Sequence, residues 1–175
     1  MASTLNRSLA DLGALLHLVD PTLPIGGFNH SNGLETFVQQ GIVSTKPSLE
    51  EYVQTQLLQN WVYNDGAYLS LAFEAMATND FERLFELDHS LSATKIARES
   101  REGSFKLGLR LLKIFIRYEQ HPMLSQFQQA IQNKTVQGYL PIVFAMVAQA
   151  MGLTKADTMY AFYYNAAVST ITNGV

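Results

Sequence analysis

Apolar residues recur along this chain at intervals of three and four, and no stretch alternates strictly enough to mark a strand. Ser8 with Asp11 forms a capping pair for a first helix, whose Leu9, Leu12, Leu16 and Val19 would make one apolar face before Pro21 stops it. Asn32 with Glu35 opens a second helix that ends near Gly41, and Ser48 with Glu51 starts a third after Pro47. Helical spacing then runs over 49–78, with a break expected around Asn64-Asp65-Gly66, and over 80–92. The longest predicted helix covers 94–119 and is ended by His121-Pro122. Shorter helices follow at 123–133 and 139–151, and Thr154 with Asp157 caps the last one. No repeat or low-complexity linker divides the chain. The expectation is an all-α, single-domain helical bundle of about seven to ten helices, covering 1–175.

Between the first two helices, Asp20 to Glu35 reads DPTLPIGGFNHSNGLE, which helix signals alone do not explain. Pro21 and Pro24 fix φ and bias the residues before them away from helix, while Gly26 and Gly27 permit angles that side-chained residues avoid. The spacing predicts a shaped loop that delivers Phe28, Asn29, His30 and Ser31 to a helix N-terminus.

The long central helix carries two patterns. Ser100, Ser104 and Gly108 fall at i, i+4 and i+8, a strip of small residues that lets another helix approach closely. Seven of the chain's 12 Lys and Arg residues lie between Lys95 and Arg117, and Lys106, Arg110, Lys113 and Arg117 follow one stripe. Two meanings stay open for that stripe: a solvated face, or a docking stripe for an acidic partner.

Composition sharpens this picture. Charged residues make up 15% of the chain and hydrophobic ones 47%, so there is little charge with which to cover a surface. The stretch between Lys134 and Lys155 has no charge, yet its glutamines, Gly138, Pro141 and Gly152 argue against a membrane span. It fits a well-buried helix pair. Alternatively, part of the apolar surface belongs to a protein partner. Cysteine is absent, which excludes disulfides, thiolate metal sites and cysteine nucleophiles. A net charge of -3, without aromatics interleaved among the basic residues, gives no reason to expect nucleic acid. Asp11 and His17 interrupt the first apolar run, so it lacks a signal-peptide pattern and a cytoplasmic location is expected.

Candidate chemistry is sparse. Glu82, Glu86 and His89 share a helix face, but a di-iron bundle site needs a second Glu-x-x-His and further glutamates on facing helices. His30 in the shaped loop and Glu35 beyond it are acceptable nickel ligands, although two residues do not make a site. The favoured reading is structural, with His30 hydrogen-bonding backbone to hold the loop and Glu35 completing the cap. No G-x-S-x-G elbow and no P-loop occurs.

The run from Leu23 to Glu35, LPIGGFNHSNGLE, closely resembles the LPxGxFxHSxGLE signature of the urease accessory protein UreF family. Ala97 to Ser104 with Leu107-Gly108 and Leu111-Leu112 is similar to that family's central helix, and Pro141 to Phe144 with Gly152-Leu153 to its late helix pair. The resemblance implies a non-catalytic urease maturation factor. Such proteins join the accessory protein UreD (also called UreH), recruit the nickel-binding GTPase UreG and help load nickel into apo-urease. No tightly bound cofactor is implied, because the complex handles the nickel, and a homodimer is. Signature or partner-binding residues carried over are Pro24, Gly26, Gly27, Phe28, His30, Ser31 and Glu35, with Arg98, Arg101, Glu102, Ser104 and Lys106. Tyr139 stands where many members have histidine, Ala145 replaces a frequent glycine, and the family's basic tail is missing after Val175. The alternative from another class is a small helical metalloenzyme built on Glu82, Glu86 and His89, or on His30 and Glu35.

Overall fold

The structure is a computed structural model that describes residues 8–26 and 33–173, and these are helical with no strand among them. The helices are α1 (Leu9–Val19), α2 (Leu34–Gln39), α3 (Lys46–Thr55), α4 (Asp65–Ala77), α5 (Phe81–Thr94), α6 (Arg98–Phe115), α7 (Pro122–Gln132), α8 (Leu140–Ala150) and α9 (Lys155–Asn173). A π-helical turn, Gln56–Trp61, follows α3 directly. The fold is all-α, as the periodicity predicts.

Several ends are set by the residues that the pattern points to. Ser8 and Asp11 exchange backbone-to-side-chain bonds of 3.1 and 3.2 Å at the start of α1. Thr154 accepts from the Asp157 N–H at 3.1 Å at the start of α9. Other starts differ. The cap of α2 is Gly33, in the left-handed region, which places Glu35 at the second helical position; Asn32, the expected cap, lies outside the described residues. Thr45, not Ser48, caps α3, and Ser48 reciprocates as its third residue behind Pro47. The predicted helix over 94–119 is shorter at both ends. Thr94 closes α5, a bend at Lys95 and Ile96 intervenes, and the 19-residue α9 exceeds the 18-residue α6.

The core forms around α8, whose residues Pro141 to Ala148 are all buried. A helix apolar all round needs neighbours on every side; α4, α5, α6 and α9 supply them. The charge-free stretch is thus a buried helix. For α1 the predicted face points the wrong way. Leu15 and Leu18 are buried, whereas Leu9 and Leu16 are 88% and 58% exposed and Leu12 is also exposed. The helix is apolar on two faces, and the α9 contact decides which one is covered.

The predicted close-packing strip holds at Gly108 and Ser104 but not at Ser100. A Cβ on Gly108 would lie 2.1 Å from the Gly138 carbonyl oxygen, so only glycine lets α6 reach the turn entering α8. One turn earlier, Ser104 Oγ accepts from the Leu140 N–H at 3.3 Å. Ser100 instead is exposed and faces a cavity.

Candidate functional site

Residues 20–26 form a succession of tight turns. Asp20 accepts from both the hydroxyl and the N–H of Thr22, at 2.6 and 2.7 Å, and these two bonds, the hydroxyl's first, hold its carboxyl below the usual carboxylate range. Leu23 N–H returns to the Asp20 carbonyl at 3.0 Å, and Ile25 N–H to the Leu23 carbonyl at 2.7 Å, closing a three-residue turn about Pro24. Gly26 has φ +80°, a positive value that glycine adopts readily and side-chained residues rarely do. Leu23 and Ile25 pack on the main core, while Pro24 is exposed. This part of the loop is shaped as predicted. Gly27, Phe28, Asn29, His30, Ser31 and Asn32 lie outside the described residues.

Arg110 on α6 donates from its guanidinium to the Ile25 carbonyl at 2.9 Å. The basic stripe is therefore neither one solvated face nor one free docking strip. Lys106 pairs with Glu102 at 3.6 Å, Arg110 anchors the turns, and Lys113 and Arg117 point to solvent.

The signature region and the first turns of α6 meet at a cavity of about 710 Å³. Its lining includes Leu23, Ile25 and Glu35 from the signature region and Glu102, Ser104 and Lys106 from α6. Most of the charged side chains predicted here are already occupied. Arg98 bonds Glu102 at 2.7 Å, which draws the Glu102 carboxyl below its ordinary range, and Arg101 donates to the Lys95 carbonyl at 3.1 Å. Glu35 is exposed at the rim.

Two features at and behind this cavity escape a sequence reading. Lys95 and Asp65 form an ion pair at 2.7 Å with both side chains more than four-fifths buried, pinning the bend before α6 to the start of α4. Asp88 is fully buried, and its carboxylate accepts the N–H groups of Gln137, Gly138 and Tyr139 at 2.6, 2.9 and 3.1 Å. Burial pushes its pKa up, against the pull of those three N–H groups. Tyr139, at a position where the resemblance suggested histidine, is buried with its hydroxyl bonded to Ser92 at 3.0 Å. No periodicity announces partners some 50 residues away.

The cluster of the metalloenzyme alternative, Glu82, Glu86 and His89, does not assemble. His89 Nε2 sits 2.8 Å from the Thr135 carbonyl, consistent with a donated N–H, and Glu86 is paired with Arg83 at 2.8 Å. Among the described residues no three of His, Asp and Glu come together as ligands. No described helix is long and apolar enough to cross a membrane.

The sequence pattern of the UreF family matches residues 43–175. A urease accessory protein UreF of Haemophilus influenzae (strain PittEE) is 81% identical over all 175 residues, which cover 74% of that protein. One from Actinobacillus pleuropneumoniae serotype 5b is 77% identical over 95% of this chain and 74% of its own length. A more distant one, from Lachnoclostridium phytofermentans, is 34% identical over 92% of this chain and 71% of its own length.

Proposed function

The chain belongs to the urease accessory protein UreF family, and from that membership we propose that it serves urease maturation by assembling with UreD (UreH) and recruiting UreG, so that the complex inserts nickel into apo-urease. It is an accessory protein and not an enzyme, which sets aside the helical metalloenzyme alternative. The observation that carries this reading is the 81% identity to a urease accessory protein across the whole chain.

The geometry is of a kind that suits a docking subunit. Leu9, Leu16, Ile42, Leu58 and Ile96 are each more than half exposed, which leaves apolar side chains available to a partner. The Asp20 to Gly26 turns are held from both ends, by Asp20 and by Arg110, so the following signature residues start from a fixed backbone. On this reading the signature acts through shape, with Phe28 and Ser31 presented to a partner and His30 holding backbone. Nickel is cargo of the complex. Self-association into a homodimer and a cytoplasmic location go with this assignment.

Co-purification with tagged UreD and with UreG tests it. Both are expected in the complex with the chain, UreG only when UreD is also present. Failure to retain UreD under conditions in which an Actinobacillus relative retains it would overturn the reading.

A further inference from the structure

Two separate apolar cores hold the described chain. The main one runs through α1, α4–α9 and includes all of α8; the other consists of Leu34, Val43 and Tyr52, with Leu49 packed on it. The small core belongs entirely to α2, α3 and the turn between them. Phe37 of α2 stacks at a tilt on Tyr52 of α3, 5.2 Å between ring centroids, and the Phe37 carbonyl accepts from both Ile42 and Val43 at 2.9 and 3.2 Å. Internally the pair is well tied.

Its attachment to the body is different in kind. Directly after α3 comes the π-helical turn Gln56–Trp61, where the wider hydrogen-bond register breaks the α-helical ladder, with Val62 N–H reaching the Leu57 carbonyl at 3.1 Å. The side chains spanning this turn are amides. Asn60 donates to Gln56 and Asn64 to Asn60, each at 2.9 Å and exposed to water, and the Tyr52 hydroxyl also bonds Gln56. Exposed amide bonds exchange for water at little cost, unlike buried apolar contacts. At the end of the turn, Trp61 is 4% exposed and lines the same cavity as Gly33 and Glu35 at the start of α2.

We infer that α2 and α3 form a local opening unit, hinged at the Gln56–Trp61 turn, which swings from the body and opens the cavity along its Gly33–Glu35 wall. Among the described residues, opening costs chiefly the contacts that α3 makes with α9 and the exposed amide ladder, whereas loosening α8 would expose eight buried side chains. The unit therefore opens at lower free energy than the body. It gives the signature helix two positions and gives a partner access to the cavity.

Trp61 is the chain's single tryptophan, which makes the test direct. Native-state hydrogen exchange should show the amides of α2 and α3 opening together, well before those of α4 and α8. Leu34→Ala should lower protection across both α2 and α3 by roughly 30-fold or more, leave α8 protection unchanged, and increase acrylamide quenching of Trp61. Val43→Ala, a smaller truncation, should do the same more weakly. Exchange of α2, α3, α4 and α8 at one common free energy would overturn the inference. So would loss of α8 protection in Val43→Ala, because the two cores would then be one, or unchanged Trp61 quenching in a Leu34→Ala chain whose α2 and α3 have lost protection.

Discussion

The guanidinium of Arg110 donates to the carbonyl of Ile25 across 85 residues of sequence, at 2.9 Å, and so fastens the middle of α6 to the turns that precede the signature residues. A lysine has no planar fork to hold a carbonyl in this way. Arg110→Ala should destabilise the chain by about 0.5 to 1.5 kcal/mol and increase proteolytic cutting within residues 20–26. Charge reversal at the exposed Lys113 should stay within about 0.5 kcal/mol. Urea unfolding of the two variants side by side checks this, and equal effects would mean that general charge matters and not the Ile25 bond.

Gly108→Ala adds one methyl where the Gly138 carbonyl oxygen already stands 2.1 Å away. That oxygen is backbone, held through the Asp88 clamp on the Gly138 N–H, so it cannot step aside cheaply. The expected cost is about 1 to 3 kcal/mol, and more for Gly108→Leu. A melting temperature unchanged by either substitution would show that α6 can move.

Asp88→Asn replaces one accepting oxygen by an N–H₂ that faces backbone donors, so at least one buried N–H loses its partner, at about 1 to 3 kcal/mol. The acid side also has a defined sign. Burial raises the folded pKa above 3.8, so the folded chain keeps this proton to higher pH than the unfolded one. The contribution of Asp88 to stability is then full below pH 3.8 and declines as pH rises through the folded value. A carboxyl titration of Asp88 by NMR checks this, and a pKa below 3.8 would mean that the three N–H bonds outweigh burial.

These sites also mark what was legible in the chain. Ser8, Thr154 and the glycine at 108 act through neighbours within a few residues or through size alone, and the pattern of the sequence exposes both. Asp88, Lys95 and Arg110 act on groups 30 to 85 residues away, Lys95 through the Asp65 carboxylate. The bend at Lys95 shows the consequence. No glycine or proline marks it, and what holds it is a buried ion pair and an Arg101 bond to the Lys95 carbonyl, so a helix-favouring stretch reads as continuous. For α1 the local pattern offered two apolar faces, and only its neighbour α9 chooses between them.

Gly26→Val forces a β-branched residue to φ +80° and should cost about 1 to 3 kcal/mol of backbone strain. If the turns re-form at negative φ instead, stability will be kept while the Arg110 to Ile25 bond is lost. Urea unfolding together with the Arg110→Ala comparison distinguishes strain from rearrangement, and full stability in a Gly26→Val, Arg110→Ala double variant would contradict the assigned turn geometry.

Whether the signature works through shape or through a metal ligand is tested most directly by urease activation in cells that lack their own copy of this accessory protein. Chains carrying His30→Ala and Gly26→Val are compared there with the unaltered chain at equal protein levels. Near-normal activation by His30→Ala and a large loss with Gly26→Val is the predicted result. A large loss with His30→Ala that added nickel partly restores, while UreD and UreG still bind, would contradict it.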